Sequence, residues 1–443
     1  MRLLQIYQRL FILLIFSILL SGCDTLEQLP DSIIPRPTET IHPSITSTPT
    51  LPAAPVLLTP TPTGNPDKSK TITIWLPPDL NPQKQTIAGK LIFDRLQEFE
   101  SLNPDIKINV RIKNLSGAQG MLDTLSVTTL AAPLAKPSIL VLPQSDLETA
   151  VHQGLVYPIF SDENNIDDSD WYPYSQSMAK VDGKWYGVPY FGDALIIVYR
   201  NASTTDNITT WANIQGINQP VLFPASEAGS LTTLAFYQSL AGDQDIGNDP
   251  KNLNEEKLIQ VFAFMQNNAR QGIFSYSLSQ YDRFDQTWTA FKNRQAHWVI
   301  TWTSSYLSST DTTVQAMPLP GLDETPFTLA TGQVFVLSEP DQDRQVICMK
   351  LIDFLVEPGF LSKLNQASAS IPTRLSADKF PNDLNKQTFF NQVSQSAHIQ
   401  PTLASYITIA NRMKDATTQV IKFQITPQEA AKLVINGEET SDN

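Results

Sequence analysis

The order of strand-like and helix-like segments constrains the fold of this chain more than any other feature. From residue 71 onward, β-branched or alternating runs take turns with apolar residues at helical spacing. In chain order the segments are a strand Thr71–Trp75, a helix Leu91–Leu102, a strand Ile106–Ile112, a strand Ser138–Leu142 and a helix Asp146–Gln153. This order predicts an α/β fold with a mostly parallel sheet flanked by helices. Because ligands bind at the carboxyl ends of such strands, the segments after Trp75, Leu142 and Pro189 are the first places to look for a site.

The first residues of the chain have the pattern of an export signal. Arg2 and Arg9 precede an apolar run that is shorter than the roughly 20 residues of a membrane-spanning helix. Leu20-Ser21-Gly22-Cys23 follows at once and resembles the lipobox of bacterial lipoproteins, in which the cysteine is acylated. We expect residues 1–22 to be a lipoprotein signal peptide and Cys23 to be the lipidation site. The alternative is a plain secretory signal with a cysteine there by chance.

Residues 23–70 are rich in proline, serine and threonine. Such a composition cannot bury enough apolar surface to offset ordering, and proline favours extended conformations. At roughly 3 Å per residue the segment would reach on the order of 100 Å when stretched. We expect a disordered tether here, and a second disordered segment at the tail, residues 437–443.

Composition excludes several classes of function. The formal net charge is −13, and an acidic chain is a poor partner for nucleic acid. With Cys23 in the anchor, Cys348 is the one thiol left, so no internal disulfide is available, and we expect it to be buried as a small apolar residue. The four histidines are scattered, and no spacing indicates a metal site or a cofactor. The length of the globular part favours two domains or lobes.

A series of motifs in the globular part resembles the family 1 extracellular solute-binding proteins of ABC importers, which are maltose-binding-protein-like. The resemblance covers nearly all of residues 71–435 and depends on order and spacing. Its motifs are Ile72–Trp75 with Asp79, Phe99–Pro104, Ile106–Val110, Ser138–Leu142, Gln153–Val156, Val181–Pro189, Asp193–Asn201, Phe291–Ala296, Trp298–Trp302, Ile371–Arg374 and Thr426–Ala431.

The resemblance implies a two-lobed periplasmic-binding-protein-like fold of type II, with the ligand in a cleft between the lobes. Lobe 1 would comprise residues 71–191 and 326–371, and lobe 2 residues 192–325 and 372–436. It also implies a monomer on the outer face of the bacterial cytoplasmic membrane that closes on a small solute, most often a sugar, and docks on ABC transporter permease subunits. A ligand-sensing lipoprotein for a receptor or kinase would use the same fold.

Candidate ligand contacts follow the first and third strands. Asp79 lies just past the first strand, where a carboxylate could accept two sugar hydroxyls; its alternative role is a helix cap near Asn81. Gln144 and Ser145 follow Leu142 and match a ligand loop of the family, although the usual aspartate of that loop is Ser145 here. The alternative for this segment is that Asp146 caps the helix that begins there.

Two aromatic residues and an acid precede the strand Ala194–Tyr199. Tyr190 and Phe191 would contact the C–H faces of a sugar, and Asp193 matches a family acid that binds sugar hydroxyls. The alternative is a core cluster beside the hinge.

The remaining candidates are Trp302, Ser304 and Arg374. The resemblance places a stacking tryptophan near Trp302, but Ser304 occupies that position here and Trp302 lies about two residues early. By contrast, the helical spacing of Tyr281, Phe284, Trp288 and Phe291 predicts a buried helix face, and Trp75 is expected in the core. Gly183 and Gly187 are expected at turn positions of a hairpin.

No pattern in the sequence indicates an enzyme. Asp79 and Asp193 could form a glycosidase pair, but nothing marks them as such, and neither a nucleophile elbow nor a phosphate loop occurs. Among possible ligands a sugar is favoured, because the candidate loops are aromatic and neutral to acidic. Arg374 is the only obvious basic residue near these loops. A polyamine held by the two aspartates and the rings is the competitor.

Overall fold

The computed structural model describes residues 71–159, 169–200, 209–242, 246–247, 249–377 and 384–437. The predicted signal peptide, Cys23, the tether and residues 438–443 of the tail lie outside these ranges.

The strands of the described residues build one main sheet and a small hairpin. They are β1 Thr71–Leu76, β2 Lys107–Ile112, β3 Ile139–Pro143, β4 Lys180–Val181, β5 Lys184–Trp185, β6 Gly187–Arg200, β7 Val221–Leu222, β8 Trp298–Trp302, β9 Val314–Pro318, β10 Thr328–Leu337 and β11 Ala397–Ile399. In the main sheet the order is β2-β1-β3-β10-β6-β8-β7, with β11 beside β10 and β9 beside β6. β4 and β5 form the hairpin.

The helices connect the strands of the sheet and pack against them. They are α1 Ile87–Leu102, α2 Met121–Ala131, α3 Gln144–His152, α4 Pro173–Ser177, α5 Trp211–Ile217, α6 Leu231–Ala241, α7 Glu255–Arg270, α8 Phe284–Lys292, α9 Thr303–Leu307, α10 Gln342–Leu355, α11 Pro358–Ala367, α12 Leu384–Gln395, α13 Leu403–Ile421 and α14 Pro427–Asn436. Short 3-10 turns include Pro78–Leu80 after β1.

The long strand β6 joins two sections of the sheet. Its residues 187–194 pair with β10, whereas residues 195–200 pair with β8 and β9. We call β1, β2, β3, β10 and the first part of β6 the first sheet section. The second sheet section consists of β7, β8, β9 and the remainder of β6. One continuous strand therefore carries the chain from one section into the other.

The α/β fold is confirmed, but the sheet is mixed rather than mostly parallel. β1 pairs in parallel with β2 and β3, and β7 does so with β8. The strands β6 and β10 run antiparallel to their neighbours β3, β8 and β9 and to each other. The strand β6, which joins the two sections, and its neighbour β10 thus interrupt the parallel order that the first segments predicted.

Several local predictions are confirmed and two are wrong. Trp75 and Cys348 are buried, as expected. The helix predicted from residue 146 begins at Gln144, so Asp146 lies within its first turn and does not cap it. Gly187 was assigned to a turn, but it opens β6, where an added Cβ would lie 2.8 Å from the Val334 side chain. Close packing between two strands, not turn geometry, requires glycine there.

The predicted aromatic face of helix α8 is largely present. Phe284, Trp288 and Phe291 are buried, with the rings of Trp288 and Phe291 stacked at 5.5 Å between centroids. Tyr281 precedes the helix and is only partly buried. The 3.6-residue spacing therefore identified the core face of α8, but it extended that face one turn too far.

Candidate functional site

A cavity of about 510 Å³ opens where residues from both sheet sections meet. We call it the β6 cavity. Its walls come from the turn after β1, from β6 and β10, from α9, and from the segment after α11. The polar and aromatic side chains among its lining residues are Asp79, Lys84, Thr86, Tyr190, Phe191, Ser304, Ser308, Gln333 and Ser368. The structure thus brings together four of the predicted contacts, which are Asp79, Tyr190, Phe191 and Ser304.

A β-bulge explains why two successive rings reach one cavity. Gln333 of β10 pairs with Phe191, but the next residue, Val334, pairs with Pro189, so Tyr190 has no partner across the ladder. In a regular strand, neighbouring side chains point to opposite faces of the sheet. A bulge bends the strand and changes the direction of a side chain. Tyr190 and Phe191 therefore both line the β6 cavity.

Tyr190 is fixed within the protein. Its hydroxyl donates a hydrogen bond to Gln333 Oε1 at 2.5 Å, and its ring centroid lies 4.5 Å from that of Phe335. Burial, with a smaller contribution from the charge of Asp79, raises the pKa of Tyr190 well above its ordinary value. The phenol therefore stays neutral, and its position is set before any ligand arrives.

Asp79 faces the cavity from the 3-10 turn after β1. Its side chain is exposed and makes no hydrogen bond or ion pair within the described part of the chain. The alternative that it caps a helix near Asn81 is not realised, because α1 is capped by Thr86, whose side chain accepts from Gly89 N. Asp79 is therefore available to a ligand.

Asp193 is buried behind the cavity wall and lies outside its lining. Its Oδ1 accepts from Thr303 Oγ1 at 2.5 Å and from the backbone N–H groups of Ala194 and Ser304 at 3.0 Å; its Oδ2 accepts from Ser304 Oγ at 2.5 Å. Burial raises the pKa of Asp193, and these hydrogen bonds oppose the rise. The carboxylate therefore positions Ser304 at the start of α9.

Gln144 and Ser145 begin helix α3 directly after β3. Neither lines the β6 cavity, although Pro143, the residue before them, pairs with Gln333. Ser145 Oγ donates to Asp146 Oδ1 at 3.4 Å, and Gln144 Oε1 is buried without a hydrogen-bond partner in the described ranges. These two residues lie next to the site rather than in its wall.

Trp302 and Arg374 are not brought to the cavity. The Trp302 ring packs edge-on against Phe284, with 5.7 Å between centroids. Arg374 forms an ion pair with Asp170, Nε to Oδ2 at 2.8 Å, and its guanidinium lies 4.7 Å from the centroid of the Trp171 ring. Both side chains are committed to contacts inside the protein.

A second cavity of about 500 Å³ adjoins the first along α9. We call it the α9 cavity. Its lining residues are Trp288, Lys292, Ser304, Ser305, Ser308, Ser309 and Thr310. Ser304 and Ser308 line both cavities. Its surface is dominated by hydroxyl groups, with Lys292 as the one charged side chain.

Sequence reasoning missed several residues of the two cavities. Lys84 and Lys292 were not considered, although both lie close to segments that were. Gln333 carried a usable signal, since it is a polar residue inside the apolar strand β10, and such a residue needs a polar partner or a function. Ser308 and Ser368 belong to loops whose placement only the tertiary structure reveals.

The described residues contain no group of three or more His, Cys, Asp or Glu side chains placed to hold a metal ion. Within the same ranges, none of the helices combines the length and the apolar character needed to cross a membrane.

Comparison with known proteins agrees with this geometry. The sequence profile of the family described as bacterial extracellular solute-binding protein matches residues 94–390. No curated protein matches the sequence significantly.

Solved structures share the fold at low sequence identity. A cyclo/maltodextrin-binding protein complexed with maltotetraose is 18% identical, with a TM-score of 0.68 over 86% of this chain and 100% of its own. The sugar-binding protein MalE from Xanthomonas citri is 19% identical, with a TM-score of 0.66 over 83% of this chain and 95% of its own. MalE from Listeria monocytogenes in complex with maltose is 16% identical, with a TM-score of 0.64 over 84% of this chain and 97% of its own.

Proposed function

The chain belongs to the family of bacterial extracellular solute-binding proteins, and from this premise we propose that it captures a small carbohydrate and delivers it to an ABC permease. Membership of this family makes it a binding protein and not an enzyme. The proposal extends this to the class of solute, the partner and the mode of membrane attachment.

The observation that carries the proposal is the composition of the β6 cavity wall. Asp79 and Gln333 belong to the first sheet section, whereas Ser304 follows β8 of the second. A ligand shifts an equilibrium between open and closed forms only when its contacts differ between them. A solute that bridges these walls meets that condition, as hinge closure requires.

We retain the two-lobe division as part of the proposal, with lobe 1 at 71–191 and 326–371 and lobe 2 at 192–325 and 372–436. The strand β6 changes partners between Ala194 and Leu195, three residues after the proposed boundary at 191/192, and this supports a division within β6. The strand β10 begins at Thr328, just after the boundary at 325/326, and pairs with β6 as far as Ala194, so the two crossings of the chain would lie side by side.

The chemistry of the β6 cavity favours a polyhydroxylated ligand. Phe191 offers a ring face, Asp79 accepts hydroxyl protons, and Ser304 and Gln333 add neutral polar groups. The structural neighbours in complex with maltotetraose and with maltose bind these sugars within the same fold. A polyamine is less well served, because the ammonium group of Lys84 lies on the same wall as Asp79.

Calorimetric titration of the full-length protein with glucose, maltose, maltotriose and spermidine tests the proposal. We expect a saccharide to bind with a measurable dissociation constant and spermidine not to bind. A saccharide at 100 times its dissociation constant should add about 2.7 kcal/mol to the free energy of unfolding. Binding of spermidine alone would overturn the carbohydrate assignment.

We also propose that Cys23 carries a lipid that holds the protein on the outer face of the membrane, within reach of the permease. The lipobox-like Leu20–Cys23 and the proline-rich segment after it support this. The Cys23→Ser variant should move from the membrane fraction to the soluble fraction, since a residue 23 without a thiol cannot be acylated. The Cys348→Ser variant is the matched control and should stay with the membrane. A Cys23→Ser protein that remains membrane-bound would refute the lipid anchor.

A further inference from the structure

The side chains that line the two cavities carry a net positive charge, opposite in sign to the net charge of the chain. The chain carries a formal net charge of −13. Among the lining residues of the β6 and α9 cavities, Lys84 and Lys292 are positive and Asp79 is negative. An acidic protein thus presents a locally positive wall, which attracts anions to this region while the rest of the surface repels them.

The α9 cavity contains groups that can bind one carboxylate. Lys292 is the last residue of α8, it is exposed, and within the described ranges it has no ion-pair partner. Around it lie the hydroxyls of Ser305, Ser309 and Thr310, which can donate hydrogen bonds to a carboxylate. A phosphate group favours arginine or several cations, and the α9 cavity lining supplies one lysine.

The two cavities also adjoin each other. Ser304 and Ser308 line both, so a chain of sugar units that fills the β6 cavity and passes these two serines enters the α9 cavity. Asp193 accepts hydrogen bonds from the hydroxyl and the backbone N–H of Ser304, which keeps this shared wall in place. A single monosaccharide would leave the α9 cavity unused.

We propose that the ligand is an oligosaccharide with a carboxylate-bearing unit, whose neutral part occupies the β6 cavity and whose carboxylate is bound by Lys292 in the α9 cavity. This inference rests on the proposed function as a carbohydrate-binding protein. It names the ligand class more narrowly and assigns a role to Lys292 and to the serines of α9.

The test compares trigalacturonate with maltotriose, which has the same number of sugar units and no charge, by titration calorimetry on the full-length protein. We expect trigalacturonate to bind more tightly, and Lys292→Met to weaken its binding about fivefold, the size typical of an exposed charge pair. Maltotriose binding should change less than twofold in the same variant. Raising the sodium chloride concentration to about 0.5 M should weaken only trigalacturonate binding, since salt screens exposed charges. Lys422→Met, an exposed lysine outside both cavities, is the matched control and should leave both ligands unaffected.

Three results would overturn the inference. Maltotriose binding as tightly as trigalacturonate would remove the carboxylate from the ligand class and leave the proposed carbohydrate function intact. Trigalacturonate binding that Lys292→Met does not change would remove the α9 cavity from the site. Failure of every saccharide to bind would refute both this inference and the proposed function.

Discussion

Two carboxylates near the same cavity have opposite surroundings. Asp79, in the turn after β1, faces the β6 cavity and has no partner within the described residues. Asp193, at the point where β6 passes between the sheet sections, is buried and accepts four hydrogen bonds from Ala194, Thr303 and Ser304. One group is left free for a ligand, whereas the other is used to build the wall.

The difference shows that closeness to a cavity does not decide the role of an acid. Both aspartates were predicted to contact the ligand, Asp79 from the turn after β1 and Asp193 from within β6. Asp193 is satisfied by hydroxyls about 110 residues further along the chain, at the start of α9. The role of each acid is therefore set by which hydroxyl donors the tertiary fold brings to it.

Replacing Asp193 should have the largest effect. Asp193→Ala leaves the buried donors of Thr303 and Ser304 without an acceptor, so the free energy of unfolding should fall by about 3 kcal/mol, and saccharide binding should weaken as well. Urea unfolding and calorimetry measure the two quantities. Asp193→Asn keeps one acceptor oxygen and should lose less stability. A fully stable Asp193→Ala protein that has lost only binding would make Asp193 a direct ligand contact and would break the comparison.

Arg374 should behave as a structural residue of the same kind. Its ion pair with Asp170 is largely buried, so Arg374→Met should lower the free energy of unfolding by about 2 kcal/mol, below the 3–5 kcal/mol of a fully buried pair. Saccharide affinity should not change, because the side chain lies outside the cavity lining. The exposed ion pairs of Arg283 provide the control, and Arg283→Met should alter stability by less than about 1 kcal/mol. Weaker saccharide binding by a stable Arg374→Met protein would return Arg374 to the site.

Asp79 should show the reverse pattern. Asp79→Asn removes the charge from a side chain that makes no hydrogen bond or ion pair with the described residues, so the free energy of unfolding should change by less than about 0.5 kcal/mol. The dissociation constant for a saccharide should rise about tenfold, as expected for one charged hydrogen bond. Asp94→Asn, at an exposed position on α1, is the matched control for both measurements. Unchanged affinity in Asp79→Asn would remove this carboxylate from the site.

The smallest effect is expected at Ser304, which belongs to both regions. Ser304→Ala removes the hydroxyl that donates to Asp193 Oδ2 and lines the cavities, and it should lower unfolding free energy by about 1 kcal/mol. Binding should weaken only a few-fold. Ser305→Ala, which removes a hydroxyl of the α9 cavity alone, should leave stability unchanged. Equal loss of stability in both variants would show that the hydrogen bond from Ser304 to Asp193 adds nothing to stability beyond the effect of removing a cavity hydroxyl.

Local patterns predicted much of the first sheet section. The bounds of β1, β2 and β3 lie within one or two residues of those of the predicted strands. The β-branched and alternating residues of these strands form a local pattern that by itself indicates a strand on a pleated sheet. The mixed order of the sheet could not be read in this way. It depends on the pairing of β6 with β10, whose residues lie more than 100 positions apart in the chain.

The sequence predicted a ligand contact reliably only where no residue from a distant part of the chain engages the side chain. Asp79 was identified because it follows a strand, and Phe191 because it belongs to an aromatic pair before the predicted strand Ala194–Tyr199; both line the β6 cavity. Arg374 and Trp302 were predicted as ligand contacts on similar grounds. Their side chains instead contact Asp170 and Phe284, and neither partner is near in sequence. Lys84 and Lys292 were missed for the opposite reason, since an exposed lysine has no local feature that marks it as a ligand contact, even within the motif Phe291–Ala296 that contains Lys292.

The unpaired residue at position 190 affects how this protein can evolve. Loss of that residue would restore regular pairing with β10, but it would remove the bend of the strand and leave one ring, in place of two successive rings, at the β6 cavity. Exchanges of residue type at 190 and 191 leave the strand length intact, whereas insertions or deletions there do not. New ligand preferences in this lineage should therefore arise by substitution at these two positions, with the length of β6 conserved.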